Sequence, residues 1–198
     1  MKFASAVVFG VLVVGSAASA FAQAPPGRGG GRGPAAPAIT TFAGDIQADW
    51  ARTRGLITGI AEAMAEDKYG AKPTPAQQTF GERVMHIVQT DMFILQSLGG
   101  KTPAPMINMR ATSKADILAA LKQSFDYGDA VIKEFNDQQW VERVMGPPFM
   151  GPSSSRARIV YFDMQHSEDI YGQLVVYLRL NGGTPPASAP RGGGPREP

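Results

Sequence analysis

The chain has 198 residues, of which 43% are hydrophobic and 18% charged, and it contains no cysteine. That apolar share suits the packed core of one domain and excludes a wholly unfolded chain. The missing cysteine excludes a disulfide framework, a thiolate-held zinc or iron–sulfur centre and a cysteine nucleophile. The formal net charge is +2, but residues 40–186 hold 14 basic and 16 acidic side chains, and the remainder holds five and one. The expected folded part is therefore slightly acidic and has no electrostatic footprint for nucleic acid.

The first segment reads as a secretory signal. Lys2 gives a positive start, residues 3–14 are almost all apolar, and Ala20-Phe21-Ala22 offers a cleavage box that leaves Gln23 first. The apolar run is short for a membrane span, which needs about 20 residues. Residues 1–22 are thus expected to be a signal peptide, and the mature protein to be exported, periplasmic or secreted, with no stable membrane span. Residues 23–39 are expected to be a disordered linker, because nine of the fifteen residues at 24–38 are Gly or Pro. The domain is expected over 40–186, with a second disordered tail at 187–198.

Four helices are expected inside the domain. The first spans about 41–65, with Ile46, Trp50, Ile57, Ile60 and Met64 on one face. The second is expected to start at Thr74, where Pro75 suits the first helical position and Gln77 completes a capping box. Its face carries Phe80, Val84, Ile87, Val88, Asp91, Leu95 and Leu98 up to Gly99-Gly100. Asp91 is expected to reach the rim of the domain or a partner, since carboxylates are rarely buried, and a buried carboxylate with a raised pKa is the alternative. The third starts at Ser113 and runs through Ile117, Leu121, Phe125 and Val131 to Phe135. The fourth follows a Pro/Gly-rich stretch capped by Ser153–Ser155 and runs through Ile159, Phe162, His166, Ile170, Leu174 and Tyr177. No useful strand alternation is present. The linkers are long for a tight bundle, so one is expected to be a crossover. The expected fold is all-α, a four-helix bundle.

Few residues can carry chemistry. His86 and His166 are the two histidines, each in mid-helix. If their helices face each other, the imidazoles converge, and two histidines with a carboxylate can serve a divalent ion. Packed helical histidines without any ligand are the plainer alternative. The serines at 153–155 lack the strand–turn–helix elbow of a nucleophile, and the Gly-rich segments lack a phosphate-binding pattern.

Several segments resemble DinB-like proteins. They are Trp50 with Arg52, IAEAM at 60–64, EDKY at 66–69, KPTP at 72–75 and TFGE at 79–82 leading to His86. SKAD at 113–116, LKQSFDY at 121–127, YGQLVVYLRLNG at 171–182 and PPAS at 185–188 continue the likeness. The resemblance implies a DinB-like four-helix bundle with a long crossover connection, often a homodimer. It also implies a divalent metal held by three histidines, one on the second helix and two spaced i, i+4 on the fourth. Family members act in thiol-dependent transfer and isomerisation or are assigned as metal-dependent hydrolases.

Carried over, the ligands fall on His86 and His166, and the third falls on Ile170, which cannot coordinate. Asp169 is the neighbouring substitute. Two expectations follow. One is an exported module with a degenerate metal site, binding a small molecule or a partner. The other is a hydrolase or transferase using Zn, Ni or Fe on His86, His166 and Asp169, with Glu82, Tyr171 or Gln173 positioning water or substrate.

Overall fold

In the computed structural model, residues 40–189 are described. The expected signal peptide, the linker at 23–39 and the tail beyond residue 189 lie outside the described residues. The first helix, α1 (Phe42–Ala63), starts where the Thr41 hydroxyl accepts from the Gly44 N–H. It stops at Met64, whose extended backbone leaves the helical region. The next long helix, α2 (Phe80–Gln96), starts five residues later than the sequence suggested. Its capping box pairs Thr79 with Glu82, not Thr74 with Gln77. Thr74 and Gln77 instead close a local turn through Gln77 N–H to Thr74 O at 3.1 Å. Two Thr-x-x-Glu/Gln patterns compete here, and the one followed directly by an apolar helical face wins.

Helix α3 (Lys114–Ile132) starts at the Ser113 cap and ends three residues short of Phe135. A short helix, α4 (Asp137–Val141), then forms on its own capping box between Asn136 and Gln139. It buries Trp140 completely. Arg143–Val144 and Ser154–Ser155 pair as a two-residue antiparallel ribbon, β1 and β2. Neither α4 nor this ribbon was expected. Helix α5 (Arg156–Leu180) begins at the Ser155 cap and ends at Asn181 before Gly182, whose φ is 79°. A left-handed residue after a helix is where glycine is favoured.

The four long helices pack so that α1 and α2 each touch both α3 and α5. At the start of α3, the Lys114 ammonium donates to the carbonyls of Glu62 and Met64 at the end of α1 (2.8 and 2.7 Å). Arg54 pairs with Asp126 at 2.8 Å and with Asp129 near the other end. Helices α1 and α3 therefore run antiparallel. Tyr177 donates to Gln78 O at 2.8 Å, while His86 meets His166, so α2 and α5 are also antiparallel. Gly81 meets Ile117 and Asp91 meets Ser124, which makes α2 and α3 parallel. A parallel pair needs a connection that returns along the whole helix. The 17-residue α2 is about 25 Å long at about 1.5 Å per residue, and residues 97–113 make that return. They are the crossover. Glu134 anchors its start by accepting from the Lys101 and Thr102 N–H groups at 2.6 and 2.8 Å.

The core is built from the expected faces. Ile46, Trp50, Ile57, Ile60, Val84, Ile87, Leu95, Leu121, Phe125, Ile159 and Leu174 are all buried. Trp50 lies edge-on to Phe125 and donates to Asp129 at 2.9 Å. Gly128 permits this approach: a Cβ there would stand 2.1 Å from the indole. At its far end the described chain passes residue 186. Pro186–Ser188 form a 3₁₀ turn, with Pro186 against α1 at Gly59.

The preferred expectation for Asp91 is reversed and its alternative holds. Asp91 does not reach the rim; it is fully buried. So is Asp163 on α5, which sequence reasoning had not singled out as a core residue. Ser124 and Ser167 each donate to Asp91 at 3.4 Å, whereas neither oxygen of Asp163 has a partner among the described residues. Burial pushes the Asp163 carboxyl up to about 8 and raises Asp91 as well, with Asp163 adding to the latter. An isolated carboxylate is too costly to desolvate, so Asp163 keeps its proton in the fold at neutral pH. In the unfolded chain it loses that proton near pH 3.9. The stability tied to the proton is therefore complete below that value and is lost as pH rises to about 8. Wild-type unfolding free energy should fall by a few kcal/mol between about pH 4 and 8, since a tenfold change in proton affinity is worth about 1.4 kcal/mol. Urea unfolding across that range should show this slope reduced in Asp163→Asn and also in Asp91→Asn, because burial raises both carboxyls. An unchanged slope in both variants would contradict a proton held between these helices.

Candidate functional site

Helices α2 and α5 diverge from their buried seam into a cleft of about 450 Å³. His86, Gln89, Thr90, Phe93 and Ile94 line it from α2, Phe162 and His166 from α5, and Phe149 from the loop between β1 and β2. The ribbon explains the loop's position. It pins both ends of residues 145–153, and the 3₁₀ turn Pro148–Met150 places Phe149 against Phe162 at a ring spacing of 5.1 Å. Phe93 closes the other side, 6.5 Å from Phe149. Phe93 and Phe149 are 54% and 60% exposed, so large aromatic faces meet solvent at the cleft mouth. Such a patch marks an interaction site more often than a bare surface.

The expected histidines meet at one end of this cleft. Their ring centroids are 5.1 Å apart at an interplanar angle of 79°. Two imidazoles bound to one ion at about 2.0–2.1 Å per bond would also have centroids about 5 Å apart. The ring planes of His166 and Phe162, one turn away, are parallel to within 1° at 6.5 Å. The Thr90 hydroxyl donates to His86 O at 2.8 Å. Desolvation lowers both histidine pKa values below their ordinary 6.5; Arg83 lowers both further, and His166 is also held down by His86. The rings are thus neutral at neutral pH.

The third expected ligand is not brought in. Asp169 is exposed on α5, and its carboxylate accepts from Gln173 at 3.0 Å. It acts on His166 only through space, opposing the lowering of its pKa. Ile170, where the likeness places a histidine, is 1% exposed in the core. Among the described residues no three His, Asp or Glu side chains are grouped to hold an ion. Glu82 is committed to the Thr79 cap, with its carboxylate accepting from the Thr79 N–H at 2.7 Å. Tyr171 packs against the core.

Sequence reasoning missed Phe93 and Phe149 in the cleft, and Arg83 beside it, which lowers both histidine pKa values. Arg83 lies three residues before His86 on the same face of α2, a spacing readable from the sequence. Its Nε is buried without a partner, as is His166 Nε2. Phe93 is two turns beyond His86. Phe149 had no periodic signal, because it comes from a loop.

Residues 47–174 match the family model of the DinB superfamily. The chain belongs to this superfamily. It is similar to a DinB-like protein from Bacillus cereus, at 18% identity and a TM-score of 0.62, over 74% of this chain and 96% of that one. It is likewise similar to a DinB-like protein from Bacillus subtilis, at 18% identity and 0.56, over 71% and 94%. At this identity the likeness concerns the fold. No curated protein matches the chain. The donor set here does not complete the three-histidine site that the resemblance implies: two imidazoles are present, the third position is aliphatic and the nearest carboxylate is turned to solvent.

The electrostatics can be checked by histidine proton NMR. Both rings should titrate below the ordinary value. His86→Ala should raise the His166 midpoint, and Asp169→Asn should lower it. A His166 midpoint that ignores both substitutions would contradict the geometry.

Proposed function

We propose that the chain is an exported ligand-binding module whose cleft takes a small, largely apolar molecule without a resident metal. One observation carries this reading. His86 and His166 converge, yet the position that would complete an ion site is the buried Ile170, and aromatic rings wall the space before the imidazoles. A cleft of this size, mostly apolar with a few polar groups at one end, is the usual form of a small-molecule site. Export follows from the signal-like start of the sequence.

The 5.1 Å ring spacing favours a second reading. In it, His86, His166 and a reoriented Asp169 hold a divalent ion, as a hydrolase or transferase would require. Elemental mass spectrometry separates the two. The protein from Gln23 on, made without a polyhistidine tag and supplied with zinc, nickel and iron, should carry well under one equivalent of any metal. It should match a His86→Ala/His166→Ala control. Ile170→His, which adds the missing donor, should raise the metal content at least several-fold. Near-stoichiometric metal in the wild type, lost in the double variant, would overturn the metal-free reading.

A further inference from the structure

Five rings wall the cleft as one series: Phe93, Phe149, Phe162, His166 and His86. Successive centroids stand 6.5, 5.1, 6.5 and 5.1 Å apart. All four spacings fall within the range of about 4.5–7 Å over which aromatic pairs form. The ring planes turn by 33°, 45°, 1° and 79° from one neighbour to the next, so the series is not a single flat wall. Packing does not use up these rings. Phe162 is 36% exposed, and Phe93 and Phe149 are more so, whereas the core rings of Trp50, Phe80 and Phe125 are 2% exposed at most. Three neighbouring phenylalanines therefore keep ring surface free for a ligand to cover.

We propose that the cleft selects an uncharged aromatic molecule over an aliphatic one of the same size. The inference rests on the ligand-binding reading above and names its ligand class. Apolar area alone would not discriminate, because burial of an aliphatic body removes as much surface from water. Ring quadrupoles do discriminate: a ligand ring can set its positive edge on one phenylalanine face and its own face against another edge. The lining supports this preference, since Ile94 is its single aliphatic side chain. Charge complementarity fixes the second property. No Lys, Arg, Asp or Glu lines the cleft. A charged ligand would lose water there without meeting an opposite formal charge, and that desolvation is costly. An organic cation could use the ring faces, but the nearby Asp169 carboxylate is turned to Gln173 and supplies no counter-charge. Gln89 and Thr90 give a polar substituent of the ligand hydrogen-bonding groups without a carboxylate, ammonium or guanidinium.

Calorimetric titration of the wild type tests both properties with four probes. These are 2-naphthol, its saturated counterpart decahydro-2-naphthol, 2-naphthoate and (2-naphthylmethyl)trimethylammonium. Naphthol should bind at least about fivefold more tightly than decahydronaphthol. It should also bind at least about tenfold more tightly than either charged probe. Phe149→Leu and Phe93→Leu each keep an apolar side chain at an exposed position and remove a ring, so each should narrow the naphthol-to-decahydronaphthol ratio. Circular dichroism shows whether each variant is folded, and the wild-type comparison stands without any variant. Equal binding of naphthol and decahydronaphthol would overturn the aromatic preference and leave the apolar cleft standing. Tighter binding of either charged probe would overturn the uncharged class. A ratio unchanged in both variants would place the selectivity outside this cleft and overturn the proposal. Binding of no probe would overturn both this inference and the ligand-binding reading.

Discussion

The seam between α2 and α5 carries the constraint on which the rest depends. Each helix brings a carboxyl group, Asp91 and Asp163, into a region from which water is removed. Two adjacent desolvated acids cannot both ionise, so at least one proton is held between the helices. The serines facing Asp91 from α3 and α5 are part of the same polar layer. This layer lies behind the histidines: Ser167 follows His166, and Asp91 sits five residues beyond His86. The site is therefore mounted on a core whose packing is set by proton occupancy as well as by apolar fit.

Above that layer, the same two helices turn their outer faces to an aromatic cleft. Antiparallel packing brings His86 and His166 together although 80 residues separate them in the chain. The crossover makes this possible. It returns the chain so that α3 lies beside α2, leaving α5 to close the other flank. The β ribbon, trivial as a sheet, sets the reach of the loop that carries Phe149. The cleft is thus shared between rigid helices, which fix the imidazoles, and one braced loop, which supplies part of the apolar wall.

Much of this was legible in the sequence. Helical periodicity located the core faces, because burial on a helix repeats every three to four residues, and the two histidines could be expected to converge only on the condition that their helices face each other, which they do. The start of α2 was misplaced, since two capping patterns lie five residues apart and only tertiary packing chooses between them. Asp91 was misplaced for a related reason: a lone carboxylate on an apolar face reads as a rim residue until its partner across the seam is known. Phe149 and α4 belong to loops and short elements, where no period exists to read. Arg83 could have been found. It stands one turn from His86, but charged residues on helices usually face solvent, and only its orphaned Nε shows the difference.

The central claim is that the paired histidines serve a metal-free cleft. The most direct measurement is a long-range ¹H–¹⁵N NMR spectrum of the two imidazoles, recorded before and after about one equivalent of zinc. The account predicts four nitrogen resonances at neutral-ring positions, unmoved by the metal, because the site lacks the third ligand that zinc sites with an open position use. One nitrogen from each ring shifting together, and saturating at one equivalent, would contradict it.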